Sequence, residues 1–130
     1  MVTRSGDWFK QAVRDLEQAE DSQRAGRHEW ACFAAQQAAE KAVKALHLFH
    51  GQEAGGHVIA RLLKDLPENL PIPAPLLEKA KVLDNFYIPA RYPNSHPAGA
   101  PFEHYGSIQS EAAITYAGEI ITFVRTQMAG

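Results

Sequence analysis

Phe33-Ala34-Ala35-Gln36-Gln37-Ala38-Ala39-Glu40-Lys41-Ala42-Val43-Lys44-Ala45-Leu46 decides the fold of this 130-residue chain. Extended to Ala31 upstream and Phe49 downstream, its apolar positions 31, 35, 38, 42, 45 and 49 recur at steps of four and three, which is one face of a helix. Most of them are alanine, and a stripe of small side chains lets neighbouring helices approach closely, as ridge-and-groove packing requires. The spacing predicts a long helix from about Arg27 to His50, closed by Gly51. Its polar face carries Gln36, Gln37, Glu40, Lys41 and Lys44, with Glu40 and Lys44 at i,i+4 in the favourable order. An amphipathic helix normally turns such a face to solvent or to hydrogen-bonding neighbours.

Around that helix the chain reads as further amphipathic helices. Phe9, Ala12, Val13, Leu16 and Ala19 mark a first helix over about Asp7–Ala25, with Ser5 as its candidate N-cap and Gly26 as its stop. After the Gly55-Gly56 turn, a short helix from about His57 to Leu66 is expected to bury Val58, Ile59, Leu62, Leu63 and Leu66. Prolines 67, 71, 73 and 75 form a rigid connector. A fourth helix spans about Pro75–Tyr87, facing inward with Leu76, Leu77, Ala80, Leu83 and Tyr87. The last helix runs from a Ser107 cap to about Met128, with Ala113, Tyr116, Ala117, Ile120, Ile121, Val124 and Met128 inward. No alternating strand pattern and no repeat interrupts this. The expectation is an all-α, up-and-down antiparallel bundle of four long helices plus a short one, forming one domain over 1–130.

Hydrophobic content of 45% against 22% charged residues fits a globular protein. A net charge of -2 gives no overall electrostatic drive toward nucleic acid, although a local basic patch would still act. The single cysteine, Cys32, excludes an intrachain disulfide and reads as a buried small hydrophobe between Ala31 and Phe33. No apolar run reaches the ~20 residues that span a bilayer, and residues 1–11 have no signal-peptide core, so a cytoplasmic setting is expected. Trp8, Trp30 and Phe33 at helical spacing read as core or as a seam between copies.

One stretch breaks the pattern. Tyr87-Ile88-Pro89-Ala90-Arg91-Tyr92-Pro93-Asn94-Ser95-His96-Pro97 holds a guanidinium, an imidazole, two tyrosines and three prolines, which fix φ and push their predecessors out of helix. The loop it opens, about 88–106, is long for a compact domain, and such loops are usually functional or mobile. Arginine grips phosphate bidentately, and histidine moves protons near neutral pH, so Arg91 and His96 could together cleave RNA without metal. The spacing alone is weak: with seven arginines and six histidines, about one such pair arises by chance. The competing reading makes Arg91 a structural tie, bonded to loop carbonyls or Asp84. Histidines 47, 50 and 57 with Cys32 match no established zinc spacing, and the glycines at 51, 55 and 56 do not form a phosphate loop, so no metal or cofactor is expected.

As a whole the chain resembles a HEPN domain (higher eukaryotes and prokaryotes nucleotide-binding). Residues 33–46, Gly56-His57, and Leu83-Asp84-Asn85-Phe86-Tyr87-Ile88-Pro89-Ala90-Arg91-Tyr92-Pro93 carry the resemblance. The last is similar to the Tyr-Ile-Pro-x-Arg-Tyr-Pro-Asp signature of one branch. The resemblance implies a helical bundle, usually a homodimer, often paired with a minimal nucleotidyltransferase subunit as a toxin–antitoxin system. It also implies RNA cleavage by an Arg-x(4–6)-His motif from each protomer, which Arg91 and His96 match. Lys41, Lys44, Tyr87, Arg91 and Tyr92 are then the candidate nucleotide- or RNA-binding residues. Two positions depart from the active pattern, and a third from the branch signature. Tyr92 follows the arginine where a small polar residue is usual, Ala98 stands where some toxins carry a tyrosine, and Asn94 replaces aspartate. These departures keep a non-catalytic nucleotide-binding or partner-binding module open.

Overall fold

The computed structural model describes residues 3–129, which form six helices. Helix α1 spans Ser5–Arg24, α2 His28–Phe49, α3 Ile59–Lys64, α4 Ala74–Asp84, α5 Pro101–His104 and α6 Ser107–Ala129. Helices α1, α2 and α6 pack on one another, and α4 lies on α6 with α3 beside it. Short connectors make α1 and α2 antiparallel. Among the described residues there is no strand, and no helix is long and apolar enough to cross a membrane. The architecture is the all-α bundle expected from the sequence.

The alanine stripe explains the centre. Ala31, Ala35, Ala38, Ala42 and Ala45 are all fully buried. With no side chain beyond Cβ, they let α1 and α6 close on α2, while Leu46, Ile59, Leu63, Leu83 and Ile120 fill the space between. Both ends that flank α2 close in the same way. At Gly26 (φ 77°), Arg27 N–H donates to the Ser22 carbonyl and Gly26 N–H to that of Gln23. At Gly51 (φ 74°), Gln52 N–H donates to His47 and Gly51 N–H to Leu48. This is the Schellman closure, and its left-handed residue favours glycine.

Several local expectations are corrected. Ser5 is the first residue of α1 rather than its cap, with its hydroxyl 3.1 Å from that of Thr3. Phe49 ends α2 exposed, edge-on to His50, because the chain turns away at Gly51. Val58 is also exposed: it is the extended residue preceding α3, not part of its buried face. Helix α4 stops at Asp84 with Asn85 as its C-cap, and Pro89 excludes helical backbone at Ile88. Tyr87 therefore lies beyond the helix, half-buried. The 88–106 loop contains a 3₁₀ turn at Pro93–Ser95 as well as α5. Helix α6 begins at Ser107, but Gln109 closes its first turn by accepting from Gly106 N–H at 2.8 Å.

The N-terminus of α3 is capped from a distance. Asp84, the last residue of α4, accepts from Ile59 N–H at 2.6 Å and Ala60 N–H at 3.2 Å. Burial outweighs these two bonds and raises the carboxyl above its ordinary range, with the Glu40 charge adding. A raised folded value means that the folded state holds the proton more tightly. The stability Asp84 contributes is therefore full below the ordinary aspartate value and declines as pH rises through the folded one. Replacing Asp84 with alanine should cost about 1–2 kcal/mol in urea unfolding. Asp84→Asn should flatten the stability slope in the mildly acidic range. An unchanged slope would remove Asp84 as its source.

Candidate functional site

Ala90, buried in the core, anchors the turn that follows α4, and Arg91 and Tyr92 N–H both donate to the Ile88 carbonyl. That turn lays Arg91 against α2. Its Nε donates to the Tyr87 carbonyl at 2.8 Å, and the guanidinium lies 4.3 Å from the Phe33 ring, 4.8 Å from Tyr87 and 5.3 Å from Tyr92. The Phe33 and Tyr87 rings are tilted 34° to one another, and Trp30 meets Phe33 edge-on. A planar, weakly hydrated cation suits such a setting, where an ammonium would not. Both Nη groups engage no carboxylate among the described residues. The expected tie to a loop carbonyl is present, through Nε alone.

A polar cluster, half-exposed at His57 and buried at Glu40, continues from Tyr87 into α2. His57 stacks on Tyr87 at 4.4 Å and 18°. Its Nδ1 lies 3.1 Å from each carboxylate oxygen of Glu40. Glu40 is only 3% exposed and also accepts from Gln36 Nε2 and Lys44 Nζ, both at 3.0 Å. The face expected to be polar is thus partly inside, and no buried side-chain polar atom lacks a partner among the described residues. Lys41 is paired with Asp15 at 2.6 Å. Both candidate lysines are therefore charge-compensated in the free chain, and Lys44 reaches the arginine only through Glu40, His57 and Tyr87.

His96 belongs to a different network. Its Nε2 donates to the Pro89 carbonyl at 2.7 Å, which leaves Nδ1 to take or give a proton. The ring stacks on His104 at 4.2 Å and 6°, and Tyr105 meets it edge-on. His104 Nε2 in turn donates to the Ala98 carbonyl at 2.6 Å. Burial pushes the Tyr105 phenol up, so it stays a neutral wall. Tyr87, Arg91 and Tyr92 are thus brought together. Arg91 and His96 are not bonded to each other and sit in separate networks of one chain. Sequence reasoning did not give the Phe33 contact beneath Arg91, the Glu40–His57 bond, or His104 as the support of His96. The only signal for the last was a second histidine in the same loop.

Both ring nitrogens of His47 are occupied, by the Leu62 carbonyl and by Gln52 Oε1, and among the described residues no three His, Cys, Asp or Glu side chains converge. Cys32 is fully buried, and burial, aided by Glu29, pushes its thiol up to about 12, so it is inert.

Four long helices with an arginine–histidine loop between α4 and α6 define a bundle of the HEPN type. The chain belongs to the HEPN family: the HEPN domain profile matches residues 5–127. Three solved structures are similar over nearly the full length. TT1696 from Thermus thermophilus is 50% identical with a TM-score of 0.95, over 96% of this chain and 98% of that one. ST0689, an archaeal HEPN homologue, is 42% identical with a TM-score of 0.83, over 98% and 99%. The HEPN domain protein tm0613 from Thermotoga maritima is 34% identical with a TM-score of 0.78, over 95% and 98%. No curated protein matches the chain.

Proposed function

We propose that this chain is the HEPN component of a toxin–antitoxin-like pair with a minimal nucleotidyltransferase, and that its homodimer cleaves RNA without metal through Arg91 and His96. The observation that carries this reading is the state of Arg91: its Nε is committed to Tyr87 and its plane rests on aromatic rings, so two Nη groups are held oriented and unengaged. Such a fork fits the non-bridging oxygens of a phosphodiester. His96 Nδ1 supplies the proton transfer. In the reaction a base takes the 2′-OH proton, O2′ attacks phosphorus, the P–O5′ bond breaks and O5′ is protonated. The products are a 2′,3′-cyclic phosphate and a 5′-hydroxyl. Because the two side chains occupy separate networks in one chain, the arginine of one copy would work beside the histidine of the other.

Purified protein should cut RNA in the presence of EDTA. His96→Ala should lower the rate by ~10²–10⁴ while circular dichroism and oligomeric state stay unchanged. Cleavage that survives the substitution would remove His96 from the reaction. A second reading, a nucleotide-binding or partner-binding module without turnover, is favoured by Tyr92, whose ring covers the guanidinium at 5.3 Å. It calls for heat on titration with nucleotide, or co-purification with a nucleotidyltransferase, and no loss of RNA.

A further inference from the structure

We propose that the groove between α1 and α2 beside Arg91 is a nucleobase subsite, which takes an unpaired, amino-bearing base of the RNA strand that Arg91 grips. The proposal rests on the RNA-directed reading above. The groove encloses about 420 Å³, within the size range of small-ligand sites, and Trp30, Phe33, Arg27, Gln18, Gln37 and Lys41 are among the residues that line it.

Trp30 lies outside the core, 48% exposed in the single chain, and its edge-on contact with Phe33 orients the indole while leaving much of it in solvent. A fixed, half-exposed indole is a stacking surface for a flat base. Phe33 belongs both to this groove and to the surface under the Arg91 guanidinium, so base and phosphate sites are contiguous. The polar lining supplies acceptors. Gln18 Nε2 donates to Ser22 Oγ and Gln37 Nε2 to Gln36 Oε1, which leaves the side-chain carbonyls of Gln18 and Gln37 without a protein donor among the described residues. Those carbonyls can accept from the exocyclic amine of a base stacked on Trp30, which favours adenine over uracil. Charge agrees as well. Lys41 is balanced by Asp15, and Arg27 pairs with no carboxylate among the described residues, which gives the groove a net positive side chain for the strand.

The test uses the full chain carrying His96→Ala, so that bound RNA stays intact, and Trp8→Phe, so that Trp30 is the one emitting indole. Short single-stranded oligo(A) should quench Trp30 saturably, with oligo(U) and AMP binding more weakly. Calorimetry should show Trp30→Ala binding oligo(A) about tenfold more weakly, Trp30→Phe recovering most of that, and Gln37→Leu narrowing the preference for adenine. If Trp30→Ala binds normally while Arg91→Ala does not, the subsite is wrong and the RNA reading stands. If the chain with Trp30 and Arg91 intact binds no strand, both fall. AMP binding as tightly as oligo(A) would assign the groove to a free nucleotide and overturn the proposal. Trp30 emission that follows protein concentration instead of oligonucleotide would overturn it too, making the groove a seam between copies.

Discussion

Replacing Glu40 with alanine should lower the unfolding free energy by about 3 kcal/mol or more, more than any other single change on the polar side of α2. Glu40 is almost fully buried and serves three donors: Gln36, Lys44 and His57. Removing the carboxylate leaves the Lys44 ammonium, whose side chain is 13% exposed, without its counter-charge. It also strips the fully buried Gln36 of a partner, although the His57 carbonyl still accepts from it at 3.3 Å. Breaking a buried pair costs more than the pair contributes, because the orphaned charge stays desolvated. The same principle predicts recovery: Glu40→Leu combined with Lys44→Met should regain most of the loss, since an apolar pair of similar volume carries no desolvation penalty. Urea unfolding of the two single variants and the double variant closes the cycle. A loss below about 1 kcal/mol for Glu40→Ala would show that water reaches the cluster and that Glu40 is not the hub described here.

The scaffold was legible because its signal is periodic. The alanines of α2 recur at helical spacing over about four turns, and every one from Ala31 to Ala45 on that face is buried. Gly26 and Gly51 punctuate the chain where a left-handed residue is needed. What the sequence hid lies between elements distant along the chain. Asp84 caps α3 across 24 and 25 residues, and Glu40 meets His57 across 17, so no local pattern announces either bond. The polar face of α2 misleads for the same reason. Periodicity says only that Gln36 and Glu40 point away from the alanine stripe, not that the chain returning through His57 covers them. Arg91 and His96 were visible as chemistry-bearing types in a proline-stiffened loop. That they stand in separate networks follows from their carbonyl partners, Tyr87 and Pro89, which are backbone atoms that no residue type encodes.

Arg91 is the position where function should respond most. Arg91→Ala should lower kcat/KM for RNA by ~10²–10³, the usual effect of losing a donor aimed at charge that develops in the transition state. Arg91→Lys should recover little of it. An ammonium keeps the charge but has no Nε–H for the Tyr87 carbonyl and no plane to lie on Phe33 and Tyr87, so it is not held in one orientation. Both variants should also lose about 1–2 kcal/mol of stability, from one hydrogen bond and the ring contacts. This cost separates the readings. A purely structural arginine predicts that stability falls and that activity per folded molecule does not. A phosphate-gripping arginine predicts the activity loss at a temperature where both variants are fully folded. The decisive measurement is therefore cleavage rate and oligonucleotide affinity under conditions where unfolding curves show all three proteins native. Arg91→Lys with undiminished cleavage would sink the fork geometry, since a point charge would then be enough.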